Sequence, residues 1–420
     1  MSRSLIVLPD DSAKPILDAV NNATKSLRVK MFIFSDPSLL KAVIAARQRG
    51  LKVRIMLNPA RRDGESENKE SRKKLEAGGV EVIDSSPDYD VTHEKSMVVD
   101  DATAFVKSLN WETKNLTETR DYAIVTSNAH EVAEIIECFE ADWERKPFKG
   151  DEHSHLIWCC GNGRDRIAQF IDDAKDSIFL QNERYQDSVI IERLVRAARR
   201  GVKIHLMARP PHKLKKEKLV EAVGGMRIMQ DVGVKVHKLK HLKLHAKMLL
   251  ADHARAIVGS INLAPGSFDS RRELAIEVRD DDVIERLTTI AHHDWEHSHP
   301  LDLTDEGLLA EFENHRAKGT DKLATSRRSR EAQGSIERVK PRVFRLAVST
   351  FEAGVGSRAY QQTIALYAEV TSAEMCDVQH CPAKPCSSWH LGWRLTTDLS
   401  CPPAVASRHT AMSPHRVRPS

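Results

Sequence analysis

Apolar and polar positions fall into short blocks that alternate between a helical and a strand rhythm. "ARQRGLKVRIMLNP" (residues 46–59) and "ARRGVKIHLMARP" (198–210) each read as the end of an amphipathic helix, a closing glycine, and an apolar strand. "KHLKLHAKMLLAD" (240–252) reads as a strand with an unusual face. Alternate residues of a strand share a side, so His245 and Lys247 are expected to project together, about 7 Å apart. Leu244, Ala246 and Met248 then take the opposite, buried side. The whole pattern predicts α/β layers, with helices packed on a sheet.

The blocks recur. "GGVEV" at 78–82 matches "VGVKV" at 232–236, and "THEKSMVVD" at 92–100 matches "LHAKMLLAD" at 244–252. "TRDYAIV" at 119–125 matches "RRELAIE" at 271–277, and "DWE" occurs at 142–144 and 294–296. From the His93/His245 pair to the Trp143/Trp295 pair the offset is 152 throughout. A repeat of this length predicts two homologous α/β halves, residues 1–150 and 151–317, related by a pseudo-two-fold axis with a shared site between them. Residues 318–420 lose the pattern, hold seven of the 17 prolines after position 340, and read as a low-order, disordered tail.

Charge changes the picture only once it is divided. Residues 321–420 carry 14 Lys and Arg against 8 Asp and Glu, whereas the first 320 carry 50 against 52. The basic excess belongs to the tail, so any anion site in the body must be local. The longest apolar runs, "SLIVL" (4–8) and "MLLA" (248–251), fall far short of the roughly 20 residues that span a bilayer. No signal-peptide pattern is present, so the expected compartment is cytoplasmic. Seven cysteines, three in the body and four in the tail, suit neither a disulfide framework nor a zinc site.

The candidate chemistry lies in the repeat. His93 and Lys95 in the first copy, like His245 and Lys247 in the second, suit a phosphate: the imidazole meets phosphorus while the ammonium neutralises an oxygen. Downstream stand Ser108 and Asn110, and Ser260 and Asn262, as hydrogen-bond donors to that phosphate. Asp121 follows His93 at the same interval at which Glu273 follows His245. A carboxylate at that repeated distance is expected to accept from its own histidine's Nδ1–H and aim Nε2 at the substrate. A lone HxK is common by chance, but this constellation occurs twice.

"HAKMLLADHARAIVGSIN" carries the HxKx4Dx6GSxN pattern and thereby resembles the phospholipase D superfamily; "HEKSMVVDDATAFVKSLN" is its partner, with Lys107 where the second copy has Gly259. The resemblance covers roughly residues 10–300 and is nearest to soluble bacterial phospholipase D-like and cardiolipin-synthase-like proteins. It implies a phospholipase D-like sandwich, a covalent phosphohistidine on His93, and His245 as general acid and then base. Lys95, Lys247, Asn110 and Asn262 would stabilise the phosphate oxygens, with Ser108 and Ser260 in support, and Asp121 and Glu273 would orient the histidines. Asp100, Asp252 and Gly259 read as structural members of the motif. With two lysines supplying charge, neither metal nor cofactor is expected.

The expected substrate is a phospholipid headgroup diester, hydrolysed or transferred, with peripheral membrane contact. A metal-independent nuclease acting on nucleic acid is the alternative. Glu183, in "NERY" after a strand, is placed near the site. The segments 60–74 and 209–218 read as solvated helix starts that border it, and "AHHDWEHSHP" (291–300) as an exposed polar helix end.

Overall fold

Strand order explains why two stretches far apart in the chain share one site. The computed structural model describes residues 3–59, 67–211 and 216–317. The predicted tail and parts of the loops 60–74 and 209–218 lie outside the described residues. A first mixed sheet runs, in spatial order, Ser4–Leu8, Thr119–Thr126, Thr103–Lys107, Ser96–Val99, Ser26–Met31, Lys52–Leu57 and Glu81–Asp84. A second repeats the arrangement: Ser298–Pro300, Lys235–Leu239, Lys203–Met207, Ser177–Gln181, Met248–Ala251, Arg255–Gly259 and Arg271–Val278, with Leu156–Cys159 also on the last strand.

In each half a pair of helices covers one face of the sheet. Lys14–Asn22 and Pro37–Gln48 cover a core including Ile16, Val20, Leu39, Val43 and Ile55. Gly163–Asp172 and Ser188–Arg199 cover the matching core of Ile167, Phe170, Leu194 and Leu206. A third core joins the halves: Val98, Tyr122 and Ile124 of the first sheet pack with Phe179, Met248, Leu250 and Ile276 of the second. No helix among the described residues is long and apolar enough to cross a membrane.

The two sheets also exchange strands. Val91–Thr92 leaves the first half and pairs in parallel with Arg271–Arg272, while Lys243–Leu244 pairs with Thr119–Arg120. Both exchanged segments stand immediately before an HxK. His93, Glu94 and Lys95 therefore do not continue one strand, and neither do His245, Ala246 and Lys247. Each trio lies in the break where the chain passes from the other half's sheet to its own. The expected unbroken strand is corrected on this point, although Leu244, Ala246 and Met248 are buried.

Buried ion pairs clamp the crossing. Arg120 donates to Asp294 at 2.8 and 2.9 Å, and Arg272 donates to Asp142 at 3.1 and 2.6 Å. The aspartates of the repeated "DWE" thus each hold the arginine before the other half's acid. The helix end at 291–300 is accordingly exposed on only one side, since Asp294 is buried. Glu94, Cys138 and Asp142 approach one another closely enough to suggest a metal cluster, but the Lys30 ammonium bonds all three, at 3.1, 3.1 and 2.6 Å. The cation there is a side chain.

Candidate active site at the seam between the halves

Strand exchange decides which carboxylate meets which histidine. Val91 and Thr92 lie beside Arg271 and Arg272, so the next residue, His93, arrives beside Glu273; its backbone N–H bonds Arg272 O at 2.9 Å. His93 Nδ1–H donates to Glu273 Oε2 at 2.8 Å. In the mirror arrangement His245 Nδ1–H donates to Asp121 Oδ1 at 2.9 Å. The pairs are crossed between halves, correcting the expectation that each acid serves the histidine preceding it in its own repeat. With both Nδ1 atoms held, both Nε2 atoms are left for a substrate.

The lysines close the pocket. Lys95 Nζ donates to His93 O, and Lys247 Nζ to His245 O. Both are almost fully buried, as are Asn110 and Asn262, whose side-chain carbonyl oxygens have no protein partner among the described residues. An unpaired buried polar atom is costly unless a ligand or water satisfies it. His93, Lys95, His245 and Lys247 gather at one seam, close enough for their charges to act on one another.

Two serines turn away from it. Ser108 is fully buried and donates to Asp121 Oδ1 at 2.6 Å, while its oxygen accepts from Tyr122 N at 2.9 Å. Ser260 exchanges hydrogen bonds with the Leu274 backbone at 3.0 and 3.2 Å. The expectation that both hydroxyls face the phosphate is corrected: they brace the strands that carry the acids. Gly259 also looks inward, since a Cβ there would collide with Leu274 O and Ala275. At the matching place Lys107 is buried with its ammonium 4.8 Å over the Trp111 ring and no hydrogen-bond partner among the described residues. Burial, only partly offset by Glu94, pushes it down to about 7.

Asp100 and Asp252 stand outside the pocket. Each occupies a left-handed position (φ 54°) in the turn between the two strands that follow its HxK. Asp100 accepts from the backbone N–H groups of Thr24, Lys25 and Ser26, and Asp252 from those of Lys175, Asp176 and Ser177. A short polar side chain tolerates such a turn, and its carboxylate ties the hairpin to the neighbouring strand.

Burial and neighbouring charges act strongly on the site's ionisable groups. Burial first, then Lys95 and Lys247, push His93 well below the usual imidazole range. Burial raises Glu273, although Lys95 and Arg271 oppose it. Burial would raise Asp121 too, but His245, Lys247 and Ser108 outweigh it and hold that carboxyl below its usual range. Glu183 joins the site: it accepts from Lys247 at 2.9 Å and Arg209 at 3.0 Å, and lies 3.8 Å from His245 Nε2. Against the opposing effect of burial, Lys247, His245 and Arg209 hold it far below the carboxylate range. Arg209 was legible only as part of a solvated loop; its position after the strand Lys203–Met207 was the available signal.

The family model described as "Cardiolipin synthase, PLD-like domain" matches the chain twice, at residues 16–143 and 167–295. Human mitochondrial cardiolipin hydrolase is 32% identical over 131 residues, which is 31% of this chain and 50% of that protein. The chain spans about half the length of the curated mitochondrial relatives it matches. Cardiolipin synthase B of Escherichia coli K12 is 24% identical over 310 residues, covering 63% of this chain and 73% of the relative. Among solved structures, the phosphatidylserine synthase of Haemophilus influenzae superposes with a TM-score of 0.58 at 10% identity, over 76% of this chain and 94% of that one. A polyphosphate kinase from Porphyromonas gingivalis gives 0.53 at 17%, over 69% and 50%. These two likenesses concern the fold.

Proposed function

Since the chain belongs to the phospholipase D-like family of cardiolipin synthases, we propose that it is a phospholipase D-type phosphodiesterase, hydrolysing or transferring the headgroup diester of a phospholipid. One observation carries the reading. Two imidazoles, each held at Nδ1 by a carboxylate from the opposite half, leave two Nε2 atoms beside two buried lysines. Residues 1–150 and 151–317 act as the two units of one site. The relatives named for cardiolipin support a lipid substrate; contact with the membrane surface from the cytoplasm is part of the same proposal.

In this scheme the Nε2 lone pair of one histidine, His93 by family resemblance, attacks phosphorus. The N–P bond forms as the P–O bond to the headgroup breaks, and His245 passes its Nε2 proton to the departing oxygen. Water or an alcohol then gives a proton to His245 and its oxygen bonds phosphorus. The N–P bond breaks and its electron pair returns to His93. Lys95, Lys247, Asn110 and Asn262 stabilise the charge on the phosphate oxygens throughout. Ser108 and Ser260 act at one remove, by bracing the acid-bearing strands. The lysines supply the positive charge, so the scheme calls on no metal.

The test offers the full chain phosphatidylglycerol, phosphatidylcholine and single-stranded DNA in parallel, in EDTA. Headgroup release is expected, and His93→Ala should lower it by roughly 10³-fold or more. DNA cleavage without lipid turnover would replace the lipid by nucleic acid as the substrate.

A further inference from the structure

We infer that Glu183 is a positioning residue that divides the work of the two histidines, leaving His93 to attack phosphorus and giving His245 the proton transfers. The inference rests on the phosphodiesterase reading above. Pseudo-symmetry by itself assigns no roles, because each histidine has a lysine, an asparagine and a carboxylate at corresponding places. The difference lies where the central strand of each half ends. Lys30 pairs with Ser96 and Gln181 with Met248, while the bridges Phe34–Trp111 and Tyr185–Leu263 follow at matching distances. That register puts Phe32 and Glu183 at the same position in their two halves.

The two side chains give opposite surroundings. Phe32 meets the His93 ring edge-on, with centroids 4.9 Å apart, and Lys95 Nζ lies 5.1 Å over the same phenyl ring. An apolar wall disfavours the imidazolium and keeps the Nε2 lone pair available. At the other histidine, Glu183 Oε2 stands 3.8 Å from Nε2 and 2.9 Å from Lys247 Nζ. The ring thus faces a negative charge where His93 faces a phenyl ring. That separation from Nε2 is too long for a hydrogen bond, so the proton there remains free for a leaving oxygen. Arg209 holds the other carboxylate oxygen at 3.0 Å, which fixes the side chain between the two cations.

The charge states already described agree: His93 is driven toward the neutral form while Asp121 is kept ionised beside His245. Lys95 donates to the His93 carbonyl and lies over the Phe32 ring, with Glu273 as its main opposing charge but no carboxylate hydrogen-bonded to it among the described residues. Lys247 is shared with Glu183. The first step is then directional. His93 Nε2 bonds phosphorus from the apolar side, and the alcohol leaves on the Glu183 side with the proton of His245.

Two soluble diesters test this with the full chain. Bis(p-nitrophenyl) phosphate loses a phenolate that needs no proton, and glycerophosphoglycerol loses an alkoxide that does. A denaturing alkaline quench during turnover of the nitrophenyl diester, followed by peptide mapping at alkaline pH, should find the phosphoryl group on His93; finding it on His245 would overturn the inference. Glu183→Gln should lose at least tenfold more kcat on glycerophosphoglycerol than on the nitrophenyl diester, with Glu183→Asp recovering part of that difference. Equal losses on both would make Glu183 merely structural and sink the proposal. Turnover of neither diester by the unaltered protein would instead remove the phosphodiesterase reading, and this inference with it.

Discussion

His93 and His245 are each oriented by a carboxylate that sequence spacing assigns to the other. The consequence is specific at the scale of single residues. Asp121→Asn replaces the carboxylate that accepts from His245 Nδ1–H by a neutral amide and should leave the His93 ring in place, because Glu273 holds it. Loss of such an orienting carboxylate costs on the order of 10²- to 10⁴-fold in kcat. In ¹⁵N spectra of imidazole-labelled protein, the Nδ1 resonance of His245 should move and that of His93 should stay. Movement of the His93 signal alone would mean that the acids serve their own halves. Lys107 makes a different point at this scale. Its counterpart Gly259 has no room for a side chain, yet Lys107 finds space over Trp111, at the expense of burying an ammonium without a hydrogen bond among the described residues.

Among the elements, the hairpin following each HxK carries the most information. Its two strands, Met248–Ala251 and Arg255–Gly259 in the second half, are joined by a turn in which Asp252 and His253 both have positive φ. Asp252→Ala puts a Cβ with no polar function in the left-handed region and frees three backbone N–H groups. Together these effects should cost about 2 kcal/mol, read as a lower urea midpoint with unchanged m-value. Asp252→Asn should cost less, since asparagine tolerates the turn and can still accept. These hairpins were legible as repeated apolar blocks ending on aspartate. The exchanged strands before them were not: Val91–Thr92 and Lys243–Leu244 are very short, and nothing local distinguishes pairing with one sheet from pairing with the other.

For the whole molecule, acid acts on the fold through a histidine packed among aromatic rings in the second half. His205 stacks on Phe179 with ring centroids 4.4 Å apart and meets Trp295 edge-on, and its Nδ1 is buried without a partner among the described residues. Burial, then His292, Lys235, His237 and Lys203, push it down to about 4. A base whose folded pKa is depressed contributes stability that is complete above its unfolded value, near 6.5, and lost as pH falls toward 4. The thermal midpoint should therefore drop between pH 6.5 and 4. His205→Phe, which keeps the stack, should flatten that slope; an unchanged slope would assign it to other groups.

The sequence by itself determined the repeat, the α/β class and the identity of the residues that gather at the seam. These follow from periodicity and from polar side chains that recur at one offset, both properties of the linear chain. Even Glu183 was placed near the site by its position after a strand. Only the tertiary structure decided how those residues are joined. Crossed His–acid pairs, serines turned inward and the contrast between Phe32 and Glu183 depend on contacts between halves. The repeated interval from histidine to acid is satisfied equally by partners within one half or across two. The choice belongs to the two short strands that cross the seam, and their hydrogen bonds exist only once both sheets have formed.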